Sequence, residues 1–145
     1  MEFIYSKIEK GKILHRINRF NEVKDRQNLC SNESFIQCAT YKKNKGLITK
    51  PHIHIERQVE SHHYVTQESW VIIQGSISVI LFDVDGSFLC TYELHKGDIC
   101  ITFYGGHTFD VLENDTIIYE FKSGPYVEGL DKKNIIENED YKVLS

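Results

Sequence analysis

From residue 35 onward the chain is a succession of short β-forming runs separated by turn signals, and few folds accept such a pattern. The runs cover residues 35–41, 70–73, 76–82, 88–94, 99–103, 108–112 and 116–121. Asp83-Val84-Asp85-Gly86 reads as a hairpin turn, and Lys96-Gly97-Asp98 and Glu113-Asn114-Asp115 supply further turns. Strands at this even spacing predict an all-β domain, an antiparallel sandwich or barrel with little helix. The first 30 residues, rich in Lys, Arg and Asn, fit either a short helix over 16–26 or an added edge strand. The expected organisation is an N-terminal extension over 1–30, a barrel over 31–130 and a polar C-terminal tail over 131–145.

Composition narrows the class. With 145 residues, 41% hydrophobic and 26% charged, the chain suits one globular domain with a hydrophobic core. A formal charge of -4 gives no electrostatic ground for nucleic acid or an anionic membrane as partner. Charges in the first residues and the lack of an apolar stretch argue against a secretory signal, and no run approaches the roughly 18 apolar residues of a membrane span. Cys30, Cys38, Cys90 and Cys100 have no C-x-x-C spacing, so a zinc ribbon or thioredoxin-type motif is not indicated. Three of them fall in strand-like runs as reduced core residues, and a cytoplasmic location is expected.

Chemistry concentrates in Pro51-His52-Ile53-His54. Two histidines at i and i+2 on a strand share a face, because side chains alternate with period two. Glu68 and His107, on neighbouring strands, would add a carboxylate and a third imidazole. Three imidazoles and one carboxylate would hold one divalent transition metal (iron, manganese, nickel or zinc) with coordination positions left open. Tyr104 and Tyr119 are candidate hydrogen-bonding neighbours; Trp70 and Phe109 would line a pocket or fill the core. His15, His62, His63 and His95 read as surface residues. His62 and His63, lying between His54 and Glu68, have as their alternative a place near the site as substitute ligands or part of a lid.

These residues resemble the cupin superfamily. Gly46-x5-His52-x-His54 and Glu68-x6-Gly75 keep both fixed spacings of its first motif, with thirteen residues inserted between His54 and Glu68. A longer connection costs little entropy, whereas a slip inside a strand would turn the ligands to the wrong face. Glu68 is therefore a better ligand candidate than Glu56 or Glu60. Gly97-x5-Phe103-Tyr104-Gly105-Gly106-His107 follows the second motif without its proline and one residue short before the histidine.

A longer stretch, from about 26 to 133, is similar to the WbuC-type cupin-fold metalloproteins associated with bacterial surface-polysaccharide gene clusters. Asn28-Leu29, Gln37, the 79–86 segment, His107-Thr108 and Phe121-Lys122-Ser123-Gly124-Pro125-Tyr126 carry that similarity. Cys38 and Ile53 depart from it at positions where arginine is common.

The resemblance implies a single-domain cupin, that is, a double-stranded β-helix or jelly-roll barrel with an N-terminal extension, and a homodimer. It also implies a metal-binding protein acting on a small sugar or sugar nucleotide in O-antigen or capsule synthesis. An iron-dependent oxygenase of another small molecule and a non-catalytic small-ligand-binding cupin are the alternatives.

Overall fold

Alternation of inward and outward side chains builds two facing five-stranded sheets. The computed structural model describes residues 2–59 and 62–135, the side chains of Val59, His62 and His63 excepted; the rest of the expected tail lies outside the described residues. The strands are β1 (Glu2–Tyr5), β2 (Ile13–Ile17), β3 (Gln27–Asn28), β4 (Ile36–Lys43), β5 (His52–His54), β6 (Glu56–Val59) and β7 (His62–Val65). They continue as β8 (Glu68–Gln74), β9 (Ser76–Phe82), β10 (Phe88–His95), β11 (Ile99–Thr102), β12 (Gly106–Val111), β13 (Thr116–Ser123) and β14 (Lys132–Asn134). Among the described residues the helical content is one 3-10 turn, Phe20–Glu22, so no helix is long and apolar enough to cross a membrane.

One sheet has the order β10-β9-β12-β5-β14 and the other β11-β8-β13-β4-β3, all pairings antiparallel. The chain crosses between them at Gly75, which joins β8 to β9. Its φ of 75° suits glycine, and a Cβ there would collide with Thr116. This is the antiparallel all-β architecture expected from the strand spacing, in the jelly-roll form that the resemblance implies. The region 16–26 holds the end of β2 and the 3-10 turn, and β1 and β2 form a separate hairpin.

Inward residues grade from apolar to polar along each strand. On β8 the inner face runs Ile72, Trp70, Glu68; on the paired β13 it runs Ile118, Glu120, Lys122. On β12 it runs Val111, Phe109, His107, opposite Ile77, Val79 and Leu81 of β9. Ile72, Ile77, Val79, Val111, Ile118, Trp70 and Phe109 form one buried cluster with Ala39 and Tyr41. Burying each such side chain contributes about 1.5–3 kcal/mol. The barrel is thus sealed by hydrocarbon at one end and carries its polar groups at the other.

The thirteen residues between His54 and Glu68 include a hairpin, β6 paired with β7. Arg57 turns inward from it and is buried, donating to the Pro125 carbonyl at 2.6 Å and to Thr66 Oγ1 at 2.7 Å. Extra length was thus accommodated as a self-paired element, leaving the register of β5 and β8 intact.

Candidate metal centre

Strand alternation puts His52 and His54 on one face of β5, and antiparallel pairing sets His107 of β12 directly opposite His52. Glu68, the first residue of β8, reaches in from the other sheet. All four are buried, and their ligand atoms lie within 4.8 Å of one another. His107 Nε2 is 3.2 Å from His52 Nε2 and 3.5 Å from Glu68 Oε1; His54 Nε2 is 3.1 Å from Glu68 Oε2. The turn before His107 absorbs the missing residue through Gly105, whose φ is 82° and whose Cβ position is filled by the Phe82 carbonyl.

The outer ring nitrogens are tied down. His52 Nδ1 lies 3.0 Å from the Lys50 carbonyl and donates to it. His54 Nδ1 faces the Asp131 carbonyl at 3.2 Å and its carboxylate at 3.3 Å, and His107 Nδ1 meets Thr102 Oγ1 at 2.9 Å. Trp70 packs edge-on against His107 with ring centroids 4.7 Å apart. With Nδ1 engaged outward, each Nε2 points toward the shared centre, the usual way a protein orients metal-ligating imidazoles.

The spacing fits an ion. Bonds of about 2.0–2.2 Å place neighbouring ligand atoms about 3–3.5 Å apart, as for the His52–His107, His107–Glu68 and His54–Glu68 pairs. Two facing ring nitrogens at 3.2 Å also need a positive charge or a shared proton between them. The residues present therefore suit a divalent transition metal, whose identity the donor set leaves open.

Titration behaviour follows the same geometry. Burial, aided by His107 and Lys132, lowers the His52 pKa to about 3, so its ring is neutral. Burial alone would lower His54 too, but hydrogen bonds to the Asp131 and Glu68 carboxylates outweigh it and raise the pKa to about 9. Burial disfavours charge on Glu68, yet hydrogen bonds from His107 and His54 hold it well below the ordinary carboxylate value. Asp131 is likewise held down against burial by His54 and Lys122. It also accepts from Thr66 Oγ1 at 2.9 Å and from Lys122 Nζ at 3.0 Å, with Arg57 at 3.5 Å.

The cluster opens on a cavity of about 450 Å³, which His52, Glu68, Trp70 and Phe109 line on the ligand side. Glu120 faces it, accepting from Tyr41 Oη at 2.6 Å and Trp70 Nε1 at 3.4 Å, while Arg26 Nε donates to Tyr41 Oη at 3.0 Å. Burial and the charge of Glu68 push Glu120 upward, against the pull of Tyr41, Arg26 and Lys122.

The four sequence-predicted ligands come together, and Trp70 and Phe109 both line the cavity and belong to the core. Tyr104 and Tyr119 do not line it. Tyr104 sits exposed in the turn before β12, and Tyr119 faces outward because it alternates with Ile118 and Glu120. Tyr41 and Tyr126 line it instead. His15 and His95 are exposed, as expected. His62 and His63 are part of β7, but their side chains fall outside the described residues.

Sequence reading passed over Glu120, Lys122, Asp131 and Lys132. Alternation along 118–122 held a signal for the first two. It was masked because Ile117, Ile118, Tyr119 and Phe121 make both faces of that run apolar.

No family model matches the chain, and no curated protein matches it. Solved structures do. KdgF from Halomonas sp. is 21% identical, with 71% of this chain covering 79% of that one at a TM-score of 0.52. A Klebsiella pneumoniae protein with a double-stranded β-helix domain is 15% identical, with 83% of this chain covering 91% of that one at 0.54. Oxalate decarboxylase from Bacillus subtilis is 16% identical at 0.54; 75% of this chain covers 28% of the decarboxylase. At such identities the likeness concerns the fold alone, and that fold is the double-stranded β-helix, or jelly-roll barrel.

Proposed function

We propose that this protein is a metal-dependent cupin that acts on a small sugar or sugar nucleotide in bacterial surface-polysaccharide synthesis. The observation that carries the metal reading is the convergence of His52, His54, Glu68 and His107, with the outer ring nitrogens anchored, beside a cavity that His52 and Glu68 line. These four residues would hold the ion. When bound, a divalent metal supplies Lewis-acid polarisation of a substrate oxygen or lowers the pKa of a coordinated water. Glu120 and Tyr41 face the substrate space with exchangeable protons, while Trp70 and Phe109 exclude water from the floor. The polysaccharide setting is supported by the motif resemblance to WbuC-type proteins.

A homodimer is part of the same reading. It is supported by an apolar groove on the outer face of the β11-β8-β13-β4-β3 sheet, lined by Phe35, Ile36, Ile101 and Phe121. Light scattering on the pure protein should give twice the chain mass of 16.9 kDa. The same reading places the protein in the cytoplasm.

The test of function is turnover. Protein loaded with metal should convert members of a panel of sugar nucleotides and free sugars, detected by mass spectrometry and NMR. A chelator should stop the conversion, and returning the metal should restore it. Conversion that survives chelation would contradict the reading; oxygen uptake confined to iron-loaded protein would replace it by an oxygenase.

A further inference from the structure

Lys132 is the cross-strand partner of His54 on β14, and its ammonium lies 3.3 Å from His52 Nε2. That nitrogen is the atom the metal reading gives to an ion. An ion on His52 takes away the acceptor that Lys132 uses, and two positive centres then stand side by side. Among the described residues, no carboxylate of the cavity is at hand to compensate. Glu68 belongs to the ligand cluster, Asp131 is shared by His54, Lys122 and Thr66, and Glu120 is held by Tyr41 and Trp70.

The cavity as a whole tilts the same way. Arg26, Lys50, Lys122 and Lys132 line it against Glu68 and Glu120, and among the described residues the Lys50 side chain has no partner. A ligand with paired anionic oxygens, one turned to the ion and one to the ammonium, neutralises both. A carboxylate has that geometry, and charge-assisted contacts of this kind are the strong ones. The remaining lining combines Trp70, Phe109 and Ala39 with the amides of Asn28, Asn32 and Asn134, suited to a short carbon chain bearing hydroxyl or keto groups. About 450 Å³ lies within the usual small-molecule range of roughly 300–1,000 Å³.

We propose that the cavity binds a small organic carboxylate, with Lys132 as the side chain that takes its anionic group beside the metal. This rests on the metal reading above and narrows the substrate class of the same site to an acidic sugar, one that carries a carboxylate, rather than a neutral one. Lys133, paired with Ile53, leaves the opposite face of β14 and has no part in it.

The test uses the full chain loaded with Co²⁺, whose visible spectrum reports an intact ligand set. Glycolate, inorganic phosphate and uncharged ethylene glycol are titrated into wild type, Lys132→Met and Lys133→Met. Glycolate should perturb the Co²⁺ spectrum of wild type. Lys132→Met should weaken glycolate about tenfold or more, the scale of one lost charge-assisted hydrogen bond, while binding Co²⁺ as well as wild type or better. Lys133→Met should match wild type, and ethylene glycol should bind far more weakly than glycolate.

Equal glycolate affinity in wild type and Lys132→Met would overturn the proposal, as would equal binding of glycolate and ethylene glycol. Lys132-dependent binding of phosphate without glycolate would overturn the carboxylate assignment. A wild type that takes up no Co²⁺ fails earlier, at the metal reading itself, and takes the proposal with it.

Discussion

The two ends of the barrel are made from the same strands and do opposite things. At the closed end Ile72, Ile77, Val111 and Ile118 bury hydrocarbon against hydrocarbon; two inward positions along, β8, β12 and β13 present Glu68, His107 and Lys122, with Glu120 between. The apolar end stabilises the fold and is indifferent to pH and ions. The polar end concentrates buried charges and ring nitrogens that cost stability unless paired. Their placement is held by the rigidity of the packed end, since one continuous strand fixes both.

The sharpest way to break the closed end is Ile118→Ala, at a position with no exposed surface. It should cost about 2–5 kcal/mol in denaturant unfolding, and a folded remnant should still take up metal. A cost under 1 kcal/mol would mean that the apolar end is not the stabilising half.

At the polar end and at fixed fold, Asp131→Asn should act on metal, beyond the stability lost with the buried pairs of Asp131. It keeps shape but weakens the acceptor behind His54, and losses of about 10–100-fold in metal affinity are typical of such supports. Competition with a chelating dye measures this. An unchanged affinity with a large loss of stability would make Asp131 a purely structural residue.

A change of pH separates the ends without mutation. In the metal-free protein the His54 pKa is raised from 6.5 to about 9. Its charged form therefore contributes stability that is complete below pH 6.5 and lost as pH rises through 9. Metal binding must displace the His54 proton, so affinity should climb with pH, by about tenfold per unit, and level off near 9. Metal-free protein should thus soften between pH 6.5 and 9 while metal affinity rises. Parallel changes, or none, would contradict the assignment. The smallest effect is expected outside both ends: Lys12→Ala, breaking an exposed pair with Glu9, should change stability by less than about 1 kcal/mol.

What could be read in the chain beforehand follows the same division. Residues whose placement depends on local spacing were legible. His52 and His54 declare themselves by alternation, Glu68 by its distance to the crossover glycine, and His107 by the glycine turn before it. Long-range support was not. Asp131 lies 77 residues from His54, and in a tail of Asp, Lys and Asn it reads as solvated surface. Arg57, between Glu56 and Gln58, reads the same way, although the hairpin folds it inward beneath Pro125. Tertiary pairing, which no periodicity encodes, decides such positions. Tyr104 and Tyr119 misled for a related reason: proximity in sequence to a ligand or an apolar run says little about which face of a strand carries the ring.

The most direct measurement is metal content by elemental analysis of protein purified without added metal, wild type beside His52→Ala and His15→Ala. The account predicts close to one divalent metal per chain in wild type and in His15→Ala, and its loss in His52→Ala. Equal metal in all three proteins, or none in wild type even after reconstitution, would contradict it.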